Sequence, residues 1–292
     1  MSLFPFQTPS GLCRIDDYFK QLRNENDAFR ILPFGKSYAG NRLLASAIGR
    51  MKRPVLFVGG FDAQDWFITA LLLRFLSDIA ESLTGGGLLN SSDLPKFFER
   101  GGVIVVPCAN PDGMEIALQG NLSFQPLQKH VENMSAPGSV WHANAMGVCI
   151  EQNFDARFQP GLQTQRSAEG FPGIRPSSEP ETKALMKLCT LFPCKRVISF
   201  HSGGECILTR RSRSAPQNSA ITANLLSNSC GYRLVSGEGA YEPGSFKDWF
   251  VDHGGAEGYA IKVGRSAAPL TEQDLEPVYT RLIQTLILMM IL

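Results

Sequence analysis

The sequence has few of the short motifs that identify common classes of protein. Its 292 residues contain no CxxC pair, and seven cysteines are scattered along the chain. A GxxxxGK[ST] loop and a GxGxxG turn are both absent, so nothing supports nucleotide binding. No GxSxG elbow occurs, which leaves a serine hydrolase of the α/β type without support. Histidine is scarce, with four residues in the whole chain.

The chain has neither an excess of charge of one sign nor a long apolar run. The 28 basic and 27 acidic residues give a net charge of +1, which predicts no nucleic-acid or anionic-membrane partner. The longest apolar runs, ITALLLRFL and LIQTLILMMIL, are too short to span a bilayer. The opening MSLFPFQTPSGL lacks a basic patch followed by an apolar run, so no secretory signal is predicted. We therefore expect a cytoplasmic protein whose thiols are free.

What is present is the balance of a globular protein, 43% hydrophobic and 19% charged. Apolar runs at 54–60, 103–107, 196–200 and 258–264 predict buried strands, and two further strands are expected within 30–49. Helical spacing or helix-start signals predict helices at 15–30, 65–83, 178–191, 217–230, 245–251 and 271–292, with functional loops over 113–178. Strands that alternate with helices predict one α/β domain over 1–292, a three-layer α/β/α sandwich with a mixed, mostly parallel sheet.

Polar residues follow two of the predicted strands, and one charged residue lies within a third. Asp62 and Asp65 come after the strand predicted at 54–60, and His201 comes after the strand predicted at 196–200. Lys262 is the lone charge in the last strand. Because ligands of such sheets bind at the carboxyl ends of the strands, these four side chains are predicted to converge on one rim.

The motifs around these residues resemble those of the zinc carboxypeptidases over roughly residues 30–285. Their order and spacing carry the resemblance, in FGKSYAGNRL, GGFDAQDW, CANPDG, GVCIEQNFDARF, SEPETKAL, SFHSGGE, GSFKDWF and YAIKVG. The segments WHANAMGV and PLTEQDLEPVY look most like the bacterial branch, which cuts the γ-D-glutamyl–diaminopimelate bond of cell-wall peptides.

The resemblance implies a site in which zinc is held by a His, a Glu three residues later and a second His, with a Glu as general base. This chain departs from that pattern at most of those positions. The ligand positions hold Asp62, Asp65 and His201, and the base position holds Lys262. The family's Asn-Arg pair, which helps to hold the substrate carboxylate, is replaced by Glu151 and Gln152.

Charge counting predicts an ion pair for Lys262. Without metal, the four rim residues sum to −1, and with a divalent ion they sum to +1. We therefore expect the Lys262 ammonium to bridge Asp62 and Asp65 in place of much of the metal's charge, so that zinc is absent or weakly bound. The alternatives are that the two aspartates cap the following helix and that Lys262 extends to solvent from a strand edge.

Other residues are candidates for a peptide groove. Glu205 follows His201 as in the bacterial branch, and Tyr241 lies near the loop that bears a substrate-capping tyrosine in the family. Arg210, Arg211 and Arg213 are candidates for a substrate carboxylate, with a solvated basic run as the alternative. Two functions are therefore expected to compete: a metallopeptidase with an altered, impaired site, acting on peptides with a free carboxyl end, and an inactive relative that binds peptide or a protein partner.

Overall fold

The computed structural model describes residues 15–86, 93–120, 125–135, 139–161, 163–210, 216–254, 256–265 and 270–292. The helices of this part of the chain are α1 (Ile15–Glu25), α2 (Trp66–Leu83), α3 (Asp93–Arg100), α4 (Pro111–Gln119), α5 (Gln125–Met134), α6 (Pro180–Leu191), α7 (Ser219–Cys230), α8 (Phe246–Gly254) and α9 (Glu272–Ile291). The strands are β1 (Phe29–Lys36), β2 (Arg42–Gly49), β3 (Val55–Val58), β4 (Gly102–Val106), β5 (Arg196–Ser202), β6 (Cys206–Thr209), β7 (Arg233–Ser236) and β8 (Glu257–Val263).

The strands form one mixed sheet in the order β1-β2-β4-β3-β5-β8-β6-β7. Its centre is parallel, since β3 pairs with both β4 and β5, and β5 pairs with β8. Antiparallel pairs flank this centre, β1–β2 and β2–β4 on one side and β6–β8 on the other. The predicted mixed sheet is therefore confirmed.

Alternate residues of the central strands enter two different hydrophobic cores. On β3, Val55 and Phe57 pack among side chains of α2, α7 and α9, whereas Leu56 and Val58 pack among side chains of α6 and α8. Burial on both faces explains why these strands are continuous apolar runs. The two cores give the α/β/α layers that the sequence predicts. That all 292 residues form a single domain stays a prediction.

The helix ends follow the local signals. Thr271 and Asp274 form a capping box at the start of α9, as predicted. The first helix is shorter than the predicted 15–30, because Asn26 turns the chain: its side chain accepts a hydrogen bond from the backbone N–H of Ala28 at 3.0 Å, and β1 begins at Phe29.

The predicted loop region 113–178 is partly helical. The Asn110-Pro111-Asp112-Gly113 run, which leads into this region, begins α4, because the Asn110 side chain accepts from the N–H of Gly113 and Pro111 occupies the first turn. Among the described residues no helix is both long and apolar enough to cross a membrane.

Candidate functional site

The predicted rim exists at the carboxyl ends of the central strands. Asp62 and Asp65 follow β3, His201 lies near the end of β5, and Lys262 is the β8 residue in register with His201. The ring of Phe61 stacks on the imidazole of His201 with centroids 5.6 Å apart, which places the segment after β3 against the end of β5. The side chains at this rim, however, have partners that the sequence did not indicate.

Asp62 is paired with a histidine from a distant loop. Its Oδ2 lies 2.9 Å from Nδ1 of His142, and its Oδ1 accepts from the backbone N–H of Gln64 at 2.8 Å. The hydrogen bond to Asp62 raises the pKa of His142. His142 had no local spacing that marked it as a site residue, although it lies in the WHANAMGV segment.

Asp65 occupies the N-cap position of α2 but makes no side-chain capping bond. Its carboxylate is buried and accepts from the backbone N–H of Ser202 at 3.2 Å. Burial, with the neighbouring charge of Asp62, raises the pKa of Asp65 to about 7. The capping alternative therefore fails for Asp65, whereas Asp62 does bond to the turn that precedes the helix.

His201 is held as a neutral side chain. Its Nε2 lies 2.9 Å from Oγ of Ser199 and 3.6 Å from Oε1 of Glu151. Burial lowers the pKa of His201 to about 4, which keeps the imidazole uncharged at neutral pH.

Lys262 corrects the sequence-based ion-pair hypothesis. Its Nζ lies 2.8 Å from Oε1 of Glu242, and this is the ion pair that it forms within the described part of the chain. The predicted bridge to Asp62 and Asp65 is wrong, because Glu242 from the segment before α8 supplies the carboxylate. Charge counting therefore predicted correctly that Lys262 pairs with a carboxylate, but it identified the wrong carboxylates.

Glu242 belongs to a chain of alternating charges. Its Oε2 lies 3.3 Å from Nζ of Lys247, a buried ammonium that also contacts Asp248 at 2.5 Å and donates to the backbone carbonyl of Ala240. The two lysines lower the pKa of Glu242 against the opposing effect of burial. Neither Glu242 nor Lys247 was singled out in the sequence, although the GSFKDWF motif contains the lysine.

Glu151 and Gln152 lie in a short 3₁₀ helix at Ile150–Gln152, beside the segment that carries Glu242. Gly244 makes this approach possible, since a Cβ there would lie 2.1 Å from the Gln152 carbonyl oxygen and its φ is +75°. Within the described chain, neither carboxylate oxygen of Glu151 has a hydrogen-bond partner. Burial beside Glu242 raises the pKa of Glu151 well above the ordinary value.

The other residues predicted to line a peptide groove differ in whether they reach the cleft. Tyr241 lines the cleft, with its hydroxyl donating to the carbonyl of Ala156 at 2.6 Å. Arg210 is paired with both oxygens of Asp252 at 2.8 Å, and Glu205 is paired with Arg281 at 2.8 Å. Neither Arg210 nor Glu205 lines the cleft. Arg211 and Arg213 lie outside the described residues.

Two of the rim residues, Asp62 and His201, border an open cleft of about 600 Å³, whereas Asp65 and Lys262 are not among the described residues that line it. Its charged and amide-bearing lining residues come from four segments, and they are Asp62, His142, Glu151, Gln152, Gln159, His201 and Glu242. The volume is of the size that holds a small ligand or a short peptide. Carboxyl groups outnumber cations along its wall.

The side chains of the cleft do not fit the zinc that the resemblance implies. Asp62 is paired with His142, Asp65 is buried against Ser202, and Nε2 of His201 faces Ser199. In the part of the chain that the structure describes, no group of three or more His, Cys, Asp or Glu side chains is arranged to hold a metal ion. Lys262, which stands at the position of the general base, is an ammonium in an ion pair and cannot accept a proton from water.

Comparison with known proteins agrees with the fold. The model of the zinc carboxypeptidase family matches residues 15–283. The chain is 29% identical over 227 residues to the uncharacterized protein YqgT of Bacillus subtilis. The matched region covers 75% of this chain and 60% of that protein. It is 23% identical over 268 residues to gamma-D-glutamyl-L-diamino acid endopeptidase 1 of Lysinibacillus sphaericus, covering 89% of this chain and 67% of that protein.

A solved structure gives the same picture of the fold. The crystal structure of thrombin activatable fibrinolysis inhibitor superposes with a TM-score of 0.77 at 17% identity, over 96% of this chain and 73% of that one. At this level of identity the likeness concerns the fold alone. The chain spans about three fifths of the length of YqgT and two thirds of that of the endopeptidase.

Proposed function

Because this chain belongs to the zinc carboxypeptidase family, we propose that it is a member that binds peptides in the family's cleft without zinc-dependent hydrolysis. The ligand class is a short peptide with a free carboxyl end, of the kind found in bacterial cell-wall fragments. The observation that carries the proposal is the Lys262–Glu242 ion pair at 2.8 Å. It places a cation where the family requires a base, while the cleft beside it stays open.

The aspartates support the same conclusion. An Asp at a Glu ligand position retracts the oxygen by about one C–C bond, and zinc–oxygen bonds of about 2.0–2.2 Å leave little tolerance for that change. Burial raises the pKa of Asp65 to about 7 in the metal-free protein, so a metal that binds there has to displace a proton over part of the physiological range. A protonated carboxyl is a poor metal ligand.

The wall of the cleft suits a peptide that carries both an amine and carboxylates. Asp62 is 40% exposed and can accept a ligand ammonium, while His142, whose pKa is raised, can donate to a carboxylate. Gln152 adds an amide that can donate or accept. A diamino acid linked to D-glutamate has these groups, which agrees with the relationship to the endopeptidase named above.

Calorimetric titration with γ-D-glutamyl-meso-diaminopimelic acid tests the binding. We expect saturable one-to-one binding that Asp62→Asn weakens several-fold. Asp17→Asn on α1, an exposed residue outside the cleft, is the matched control and leaves the affinity unchanged. Elemental analysis of the purified protein is expected to find zinc well below one equivalent, and mass spectrometry is expected to find the peptide intact after prolonged incubation. Stoichiometric zinc together with peptide cleavage would overturn the proposal.

A peptidase with an altered metal site is the second candidate function. It is favoured by the gathering of Asp62, Asp65 and His201 at one rim, since a two-carboxylate, one-histidine set suits harder ions than zinc. Cleavage that appears only with added Mn²⁺, and that disappears in His201→Ala, would favour this function over binding alone. The cytoplasmic location expected from the thiols stays a prediction.

A further inference from the structure

A second cavity, of about 510 Å³, lies at the amino ends of the central strands. Five cationic side chains line it: Lys52, Arg53, Lys96, Arg100 and Lys195. We call it the basic cavity. Its walls come from the turn before β3, from α3 and the start of β4, and from the residue that precedes β5. The peptide cleft opens at the carboxyl ends of these strands, so the two sites occupy opposite ends of the sheet.

The charge of the basic cavity is unusual for this chain. Its five cations give +5 locally, whereas the whole sequence carries a net charge of +1. No Asp or Glu is among the described residues that line it. Glu257, the acid whose charge acts on Lys195, is already in a buried ion pair with Arg196. Among the lining cations, Lys52, Arg53 and Arg100 are exposed and Lys195 is half-buried.

Lys195 is the half-buried cation of the cavity. Its Nζ donates to the carbonyl of Met290 at 3.1 Å, and its backbone N–H donates to the carbonyl of Pro54 at 3.0 Å. Burial and the nearby charges of Arg196 and Arg53 lower the pKa of Lys195. An anion in the cavity would relieve this repulsion and raise that pKa.

Arg53 adds an independent feature of the backbone. Its φ is +53°, in the left-handed region that a branched or long side chain rarely adopts. Such a conformation is strained and is retained where the surrounding structure requires it. The strained residue lies in the short turn between β2 and β3, in the wall of the basic cavity.

We propose that the basic cavity binds a small ligand that carries phosphate groups. The guanidinium groups of Arg53 and Arg100 offer planar pairs of donors that match phosphate oxygens, and the ammonium groups of Lys52 and Lys195 supply further charge. The cavity is concave and includes the apolar side chains of Phe97 and Ile291, which suits a compact organic phosphate better than an extended polyanion. The site is separate from the peptide cleft, so the proposal stands or falls independently of the proposed function.

Isothermal titration with pyrophosphate at low ionic strength tests the site. We expect saturable binding that weakens with added salt, because part of the attraction is between exposed charges. The double variant Lys52→Gln with Arg100→Gln removes two exposed cations of the cavity and is expected to lower the affinity by about tenfold or more. The matched control, Lys129→Gln with Lys187→Gln, removes two exposed cations elsewhere and leaves the affinity unchanged.

A second variant and two competing probes keep the test decisive. Lys195→Met removes the half-buried cation and is expected to weaken binding as well, with circular dichroism verifying that the protein is folded. Absence of saturable binding, or an equal loss in the control double variant, would overturn the proposal. Preferential binding of duplex DNA or of phosphatidylserine vesicles over pyrophosphate would also overturn it, since the ligand would then be a macromolecule or a membrane surface.

Discussion

At the scale of single residues, Glu181 is a carboxyl group buried among other acids. It lies in the first turn of α6 beside Glu179 and Asp112, and its Oε2 accepts from the Asn144 amide at 3.3 Å. Burial raises the pKa of Glu181 from 4.5 to about 8. The folded protein therefore keeps a proton that the unfolded chain releases near pH 4.5, so the free energy of unfolding falls as the pH rises from about 4.5 to 8.

We expect Glu181→Gln to remove this dependence. Relative to the parent protein, the variant should gain on the order of 3 kcal/mol in the free energy of unfolding between pH 5 and pH 9. Urea unfolding at the two pH values measures the difference. Glu99→Gln replaces an exposed acid and serves as the control, with the same effect at both pH values. A Glu181→Gln variant whose effect does not change with pH would show that Glu181 is ionised in the folded state.

The rim shows how far residue-scale prediction reached. The positions of Asp62, Asp65, His201 and Lys262 follow from the rule that polar residues after parallel strands meet at one edge. Their partners do not follow, because His142 and Glu242 come from segments outside the regular helices and strands, where no periodicity reports the position. Only the three-dimensional path of those segments decides which carboxylate reaches Lys262.

At the scale of elements, strong periodic signals were reliable and short ones were not. The long helices α2 and α9 and the buried strands β3, β4, β5 and β8 correspond to predicted segments. The strands β6 and β7, with four residues each, were not predicted, since CILT and RLVS are too short to show alternation. The helix α4 was not predicted either, because the Asn, Pro and Gly at its start favour turns as well as helix starts.

Asn110 ties the start of α4 to two other segments. It is fully buried, and its amide donates to the carbonyls of Phe61 and Ala143 at 3.0 and 3.1 Å while its oxygen accepts from the N–H of Gly113. We expect Asn110→Ala to cost about 2–4 kcal/mol, from the lost cap and the unsatisfied carbonyl of Phe61, whereas the Ala143 carbonyl keeps the hydrogen bond from Nε1 of Trp141.

Thermal or urea unfolding measures the cost of Asn110→Ala. Asn218 holds the N-cap position of α7 without a side-chain capping bond, so Asn218→Ala is the matched control and should change stability by about 0.5 kcal/mol or less. Equal losses in the two variants would contradict the view that Asn110 acts through its hydrogen bonds. A larger loss of peptide binding in Asn110→Ala is also expected, since Phe61 lines the cleft.

At the scale of the whole molecule, a metal that binds only the folded state must raise its stability. The cleft has no set of side chains arranged for zinc in the described chain, so we expect neither EDTA nor added zinc to change the melting temperature of the parent protein. The triple variant Asp62→His, Asp65→Glu and Lys262→Glu restores the residue types of the family. Zinc at 100 times its Kd would stabilise that variant by about 2.7 kcal/mol.

Differential scanning fluorimetry with and without zinc compares the two proteins. A rise in the melting temperature of the parent protein alone would contradict the expectation. If the triple variant shows no response, positions beyond these three have also changed, and Glu242, which pairs with Lys247, and His142, which pairs with Asp62 in the parent protein, are the next residues to alter.

The segment 240–245 is fastened at several points: Lys247 holds the Ala240 carbonyl, Asp248 holds the Glu242 N–H, and Tyr241 holds the Ala156 carbonyl. A segment fixed in this way is pre-organised, so we expect no closure of the cleft over a bound peptide. Stopped-flow association should then be a single exponential whose rate rises linearly with peptide concentration and reaches no plateau, the kinetic sign that no isomerisation follows the encounter.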